Sequence, residues 1–363
     1  MARTIDDLRQ MQALPLSLKV SLTKSRIRQW VNEFGEDGVF VAFSGGKDST
    51  VLLHIARELY PEIHAVFVNT GLEYPEIVQF VKTFENVEII RPKMNFKKVI
   101  EKYGYPFISK EVSERVYYGQ VFAKKHGYTE ATEQFFEHIK SLEKGGYKLK
   151  QLCGINTNKH GGRTIYTFTK WIWLSFAPFK ISNQCCKIMK KNPAHEYQKK
   201  TGRKCITAQM ADESQLRTVN WLHYGCNGFD MKTPISNPMS FWTEQDVLKY
   251  IKENNIKIAS VYGDIVTDER KSEQVEGQLR LNLDGTIEET ECVLKTSGCR
   301  RTGCMFCGFG CHFDKEGEGR FERMKDTHPK QYEWIMKPWE DGGLGYKDVI
   351  DWLNENGGLN IRY

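Results

Sequence analysis

An uninterrupted apolar run, Val39-Phe40-Val41-Ala42-Phe43, is followed at once by Ser44-Gly45-Gly46-Lys47-Asp48-Ser49 and then by apolar positions at helical spacing, Leu52, Leu53, Ile55, Ala56 and Leu59. A short continuous apolar run is the pattern of a strand buried on both faces, so this stretch predicts strand, tight turn and helix. The alternation continues with a strand over Ile63–Val68, a helix over Tyr74–Phe84 and a strand over Val87–Ile90. Strands and helices at crossover spacing define an α/β fold: a doubly wound, mostly parallel sheet with helices on both faces. A helix is expected before it, from Leu18 to Phe34, and a further strand over Lys204–Gln209. Glu111–Leu142 reads as amphipathic helix. Thr243 caps a helix with Asp246 three residues on, and Leu281–Ile287 carries an Asp-Gly hairpin turn.

The turn itself has chemical content. Two adjacent glycines let the backbone approach an anion, and the N–H groups at the start of a helix donate to phosphate oxygens. Lys47 adds positive charge from what is expected to be a surface loop, and the Ser44 and Ser49 hydroxyls add donors. The spacing differs from the longer Walker loop. The alternative is an ordinary Gly-Gly turn.

Ser44 to Ser49 resembles the pyrophosphate loop of the ATP-pyrophosphatase, or adenine nucleotide alpha hydrolase, superfamily. Asn69-Thr70-Gly71, Lys110-Glu111, Cys185-Cys186 with Lys187, Lys190 and Pro193, and Ala211-Asp212-Glu213-Ser214 with Arg217 narrow the resemblance to its phosphoadenylylsulfate (PAPS) reductase-like branch. It runs from about Val39 to the Cys304 segment. The resemblance implies an adenine nucleotide, ATP with Mg²⁺ or an adenylyl sulfonucleotide, across the C-terminal strand ends. Ser44, Gly45, Gly46, Lys47, Asp48 and Ser49 would hold its phosphate or sulfate end, with Asn69, Thr70 and Gly71 near the nucleoside. Lys47, Asp48 and Arg217 are the catalytic candidates. Asp48 assists the cation or caps its own helix; Arg217 neutralises charge at the α phosphate or is a solvated surface arginine.

There are ten cysteines. The opening Met1-Ala2-Arg3-Thr4-Ile5-Asp6-Asp7 lacks the pattern of a secretory signal, and the longest apolar stretch, Trp171–Phe179, is far below the roughly 20 residues of a membrane helix. A cytoplasmic chain without a membrane span is expected, where cysteines serve metal or redox chemistry rather than disulfides. Cys304-Met305-Phe306-Cys307 has the spacing of two ligands on one turn, with glycines on both sides. The resemblance implies that Cys185, Cys186, Cys304 and Cys307 hold a [4Fe–4S] cluster. Zinc is the alternative metal, and Cys299 and Cys311 are alternative ligands. The tail cysteine with which sulfonucleotide reductases form a covalent intermediate is missing, because the last cysteine is Cys311.

The formal charge of +6 conceals a segment, 144–204, with fourteen basic residues against the single Glu196, a net of +13. Such a segment suits a polyanion, DNA or RNA, or else a nucleotide pocket and a solvated face. Trp171, Trp173, Phe176 and Phe179 within it are core residues or a surface for bases. The expected organisation is an N-terminal helical segment (1–36), a nucleotide-binding domain (37–262) with an insertion at about 112–184, and a Cys-rich C-terminal region (263–363). Three functions fit: ATP pyrophosphatase or adenylation chemistry coupled to sulfur transfer from a donor protein; thioredoxin-dependent sulfonucleotide reduction; and a non-catalytic regulator that binds nucleotide and nucleic acid.

Overall fold

The computed structural model describes residues 3–143, 145–158, 161–162, 164, 166–268 and 293–363. Its strands, in chain order, are β1 (Val39–Ala42), β2 (Ala65–Val68), β3 (Val87–Ile90), β4 (Phe107–Ile108), β5 (Lys204–Ile206), β6 (Asn227–Gly228), β7 (Ile235–Ser236), β8 (Ile265–Thr267), β9 (Leu294–Thr296) and β10 (Gly308–Phe309). The chain divides into two compact units. The first comprises 1–69, 73–91 and 193–303, the second 70–72, 92–192 and 304–363.

The first unit is built on a six-stranded sheet of order β3-β2-β1-β5-β7-β6. All its neighbours pair in parallel except β6 with β7. Side chains alternate between two buried faces, which is why the strands read as continuous apolar runs rather than alternating ones. Val39, Val41, Ala65, Phe67 and Ile206 enter one core together with Ile27, Trp30 and Val31 of the helix Leu16–Phe34 and Val51, Leu52 and Ile55 of the helix Lys47–Leu59. Phe40, Val66 and Cys205 point the other way and pack on Tyr197 of the helix Asn192–Thr201. The doubly wound α/β architecture is therefore present. Thr243 caps the helix Glu244–Glu253 with a reciprocal bond to Asp246, whose carboxylate also receives the buried Lys19 ammonium at 2.6 Å.

The second unit is mostly helical. Its helices include Phe96–Tyr103, Lys110–His126, Glu133–Ser141, Tyr147–Cys153 and Tyr346–Gly357, with one two-stranded parallel pair, β4 and β10. The single helix expected over Glu111–Leu142 is two, because Gly127 ends the first in a left-handed C-cap. Phe122, Phe135, Ile139 and Leu149 form a local core.

The compact units are drawn differently from the sequence segmentation at 36/37 and 262/263. The N-terminal helix is not a separate segment: Ile27 and Trp30 are fully buried in the sheet core. Residues 263–268 and 293–303 belong to the first unit, whereas the described residues of the insertion share the second with 304–363. The hairpin expected at Leu281–Ile287 lies outside the described residues. No described helix is long and apolar enough to cross a membrane.

Candidate functional site

The loop after β1 is shaped by packing on one side and hydroxyl bonds on the other. Gly45 has φ +71°, and a Cβ there would lie 2.7 Å from Val81 Cγ2, so neither conformation nor space admits a side chain. The Ser49 hydroxyl accepts the Ser44 N–H at 3.1 Å and donates to the Gly46 carbonyl at 2.9 Å, closing the turn. The helix Lys47–Leu59 then starts from Gly46 without a side-chain cap, which leaves its first N–H groups available to other acceptors. Lys47 N–H donates to the Tyr262 hydroxyl at 3.2 Å, and that hydroxyl also meets Thr302 Oγ1. Burial pushes the Tyr262 phenol up to about 12, so it stays protonated at neutral pH.

Lys47 does not project from a surface. It is 3% exposed, and its ammonium meets Glu244 at 3.2 Å and the Arg300 carbonyl at 2.9 Å. Glu244 in turn accepts Arg300 Nε at 3.0 Å. Burial alone would raise the Glu244 pKa, but the Arg300 and Lys47 bonds and charges together outweigh it and hold it below the ordinary value.

Asp48 does not cap its helix. Its Oδ1 is buried without a hydrogen-bond partner, and burial raises its pKa despite the opposing charges of Lys47, Arg301 and Arg217. A buried carboxylate oxygen with nothing to bind is costly unless it takes up a proton, the direction of its raised pKa, or a cation arrives. The donor therefore fits a divalent ion such as Mg²⁺, a hard cation that takes oxygen ligands. Arg217 is partly exposed and ion-paired with Glu213, which Arg301 also approaches at 3.4 Å. Asp48 follows β1, and Glu213 and Arg217 follow β5, adjacent strands whose connections leave in opposite directions, the switch point at which open α/β sheets bind ligands; Arg301 comes from the segment after β9.

The thiols converge in the second unit. Cys185, Cys186, Cys304 and Cys307 line one small cavity with apolar walls that include Leu72, Phe96, Met189 and Phe306. Cys185 and Cys186 lie in a short helical turn, Gln184–Cys186, that runs into a π-helical turn, Lys187–Lys191. Such turns recur at functional sites because they re-aim side chains. Cys304 and Cys307 are joined by the Cys307 N–H to Cys304 carbonyl bond at 3.1 Å, and the Phe309 N–H donates to the Cys307 sulfur. Ile108 of β4, paired with Phe309, adopts φ +68°, a strained conformation for a β-branched residue. The hydrogen bond from Cys185 and the charges of Lys110, Lys190 and Lys191 lower the Cys186 pKa, while that same bond and burial raise that of Cys185.

Among the described residues, no group of three or more His, Cys, Asp or Glu side chains is placed to hold a single metal ion. Four thiols around an apolar cavity fit the donor set of an iron–sulfur cluster, which spreads its ligands over several irons.

The other expected residues are shared between the two units. Asn69 belongs to the first unit, where its N–H donates to the Ile90 carbonyl. Thr70 and Gly71 belong to the second, where Thr70 Oγ1 accepts the Leu72 N–H at 3.1 Å. Cys299 lies in the first unit and is thus not grouped with the four thiols; Cys311, though in the second, does not line their cavity. The basic segment 144–204 does not fall in one unit. It is divided between the units after Asn192, and Lys148 and Lys150 are engaged by Glu114 and the Leu142 carbonyl. The aromatic stripe packs within the second unit, with Trp173 and Phe179 against Trp352 and Phe176 against Phe135.

Glu244, Tyr262, Arg300, Arg301 and Thr302 were not signalled by the motifs. The Arg300-Arg301 pair just before Gly303-Cys304 is the one sequence hint that could have drawn attention to them. Arg320 is likewise hidden in sequence; it donates to the Cys307 and Phe309 carbonyls at 2.9 and 2.8 Å and so pins the second cysteine turn.

A doubly wound sheet with a glycine-rich loop at its switch point defines an α/β protein of the class that binds ligands at the carboxyl ends of its strands. The phosphoadenosine phosphosulfate reductase domain matches residues 38–111 and 121–308, most of the chain, and the chain belongs to that family. An uncharacterized protein of Methanocaldococcus jannaschii is 37% identical over 70 residues, 18% of this chain and 17% of that protein. A phosphoadenosine 5'-phosphosulfate reductase of Xylella fastidiosa is 31% identical over 93 residues, 26% of this chain and 36% of that one. The chain thus aligns with well under half the length of either relative. A crystal structure of PAPS reductase from Candida auris in a phosphate complex aligns with 72% of this chain and 91% of that chain at 13% identity and a TM-score of 0.35.

Proposed function

We propose that this PAPS reductase-family protein binds ATP at the Ser44–Ser49 loop and cleaves it between the α and β phosphates, in adenylation chemistry coupled to sulfur transfer. An acceptor oxygen bonds to the α phosphorus as the bond to the bridging oxygen breaks, and pyrophosphate leaves with the electron pair. A sulfide-type nucleophile then bonds to the adenylated centre, AMP departs with the former acceptor oxygen, and the acceptor has exchanged oxygen for sulfur.

The single observation that carries this reading is the buried, unpartnered Asp48 carboxylate oxygen within the phosphate loop. A carboxylate beside a polyphosphate is useful when it holds a divalent cation; without one it would repel the substrate. Mg²⁺ held there would neutralise phosphate charge. The loop N–H groups would stabilise charge developing on the departing pyrophosphate, the kind of preorganised electrostatics that dominates many catalytic effects. Lys47 would exchange Glu244 for a phosphate oxygen. Arg217 and Arg301, held by Glu213, would face the α phosphate. An iron–sulfur cluster on Cys185, Cys186, Cys304 and Cys307 would supply redox or sulfur-carrying chemistry. Lys110 and Lys190 would offset its negative charge.

Thioredoxin-dependent sulfonucleotide reduction is the second reading, favoured by the family. Residues 312–363 hold no cysteine, and Cys311 is buried. With ATP labelled at the α phosphate and Mg²⁺, anaerobically purified protein is expected to yield labelled AMP or adenylated acceptor and unlabelled pyrophosphate. Labelled ADP would place the cleavage elsewhere and overturn the proposal.

A further inference from the structure

The turn that carries Cys304 and Cys307 runs into the short strand β10, whose pairing fixes the direction of its backbone groups. In a parallel ladder one residue turns its N–H and C=O toward the neighbouring strand and the next turns them away. Gly308 pairs with Phe107 of β4, and the Gly310 N–H donates to the Ile108 carbonyl at 2.7 Å. The carbonyls of Cys307 and Phe309 therefore point to the other edge, where this two-stranded pair has no further strand among the described residues. Carbonyls on such an edge need donors from elsewhere.

One side chain closes that edge. Arg320 Nη1 donates to the Cys307 carbonyl at 2.9 Å and to the Phe309 carbonyl at 2.8 Å. Asp314 holds the rest of the residue: its Oδ2 accepts Arg320 Nε at 2.9 Å and the Arg320 backbone N–H at 3.1 Å, and its Oδ1 accepts Nη2 at 3.1 Å. A guanidinium can do this because its planar fork presents donors on two sides, one for the carbonyls and one for a bidentate carboxylate. Between the two clamped carbonyls lies the Phe309 N–H, which donates to the Cys307 sulfur, and the Arg320 charge reaches the sulfurs of both Cys307 and Cys311.

The clamp thus acts on Cys307 in two ways. It fixes the backbone that aims the sulfur and its N–H donor, and it places a positive charge behind that sulfur, offset by Asp314. Partners that orient a ligand from behind tune the group it holds, and the potential of an iron–sulfur cluster follows nearby charge and hydrogen bonds to its sulfurs. We propose that Arg320 is a positioning residue for Cys307 and that the Arg320–Asp314 pair sets the reduction potential of the cluster, a step that rests on the cluster proposed above for Cys185, Cys186, Cys304 and Cys307.

The full-length protein, Arg320→Gln, Arg320→Lys and Asp314→Asn are purified anaerobically, assayed for iron and acid-labile sulfide, and titrated with reductant while the cluster spectrum is followed. Added positive charge favours the state with the extra electron, so Arg320→Gln is expected to lower the potential and Asp314→Asn to raise it. Arg320→Lys keeps the charge but not the fork. Its potential should stay closer to the parent's than that of Arg320→Gln, while it releases iron to a chelator roughly tenfold faster than the parent. Shifts of opposite sign are the signature of the charge pair, because a role confined to packing would alter iron retention and leave the potential in place. Should Arg320→Gln hold no iron, the sign of the Asp314→Asn shift still decides. Potentials that stay unmoved, or an Asp314→Asn potential that falls, overturn the proposal and leave the cluster standing. A parent cluster that accepts no electron from strong reductants does the same. A parent protein without iron and sulfide overturns the cluster itself.

Discussion

The phosphate loop and the thiol cavity solve opposite problems. The loop is a local structure whose charges are already paired within the first unit: Lys47 with Glu244, Glu244 with Arg300, and Glu213 with Arg217 and Arg301. Asp48 is its one carboxylate with a buried, unpartnered oxygen. The thiol cavity, in the second unit, gathers two distant sequence segments behind apolar walls, where the hydrogen bond from Cys185 and then the nearby lysines lower the Cys186 pKa. A polar site that exchanges partners suits a substrate that comes and goes, whereas an apolar nest of sulfur suits a resident group.

That contrast breaks first at the thiols. Cys185→Ala or Cys307→Ala should remove nearly all bound iron and acid-labile sulfide from anaerobically purified protein, while calorimetric ATP affinity stays within about twofold, below 0.5 kcal/mol. Loss of ATP binding together with iron would show that the two regions are not independent. Next in size, Asp48→Asn should lower pyrophosphate release by about 10²–10³-fold, the scale of a lost electrostatic stabiliser, with iron content unchanged. Unaltered release would remove Asp48 from the chemistry.

Glu244→Gln should cost roughly 1–3 kcal/mol of stability at neutral pH, because the buried Lys47 ammonium loses its counter-ion. The sign with pH follows from the lowered Glu244 pKa. Stabilisation is complete above the ordinary carboxylate value and is lost as pH falls through the lower folded value. The gap between parent and variant in denaturant melts should therefore close on acidification; a constant gap would mean that the ion pair contributes nothing. The smallest effect is expected for Tyr262→Phe, which removes the acceptor for the Lys47 N–H and costs about 1 kcal/mol in the same melts.

The first region was legible in sequence and the second only through resemblance, for a physical reason. Strand, glycine turn and helix are encoded by neighbours, so Val39–Leu59 and the Thr243–Asp246 cap announce themselves. Cys186 and Cys304 stand more than a hundred residues apart, and only tertiary packing brings them to one cavity. Charge summed along the chain does not report tertiary placement: residues contiguous from 144 to 204 fall in separate units, and Lys148 and Lys150 are engaged by Glu114 and the Leu142 carbonyl. Lys47 misled because a lysine next to two glycines reads as exposed, whereas Glu244, almost two hundred residues later, buries it. Glycine was underused as a stop signal at Gly127, which splits the expected long helix.

The most direct test assays pyrophosphate and sulfite side by side with one anaerobically purified preparation. ATP, Mg²⁺ and an acceptor are offered in one arm, phosphoadenylylsulfate with reduced thioredoxin in the other. Pyrophosphate release from ATP without sulfite release is the predicted result; sulfite released from phosphoadenylylsulfate, with ATP left uncleaved, would contradict it.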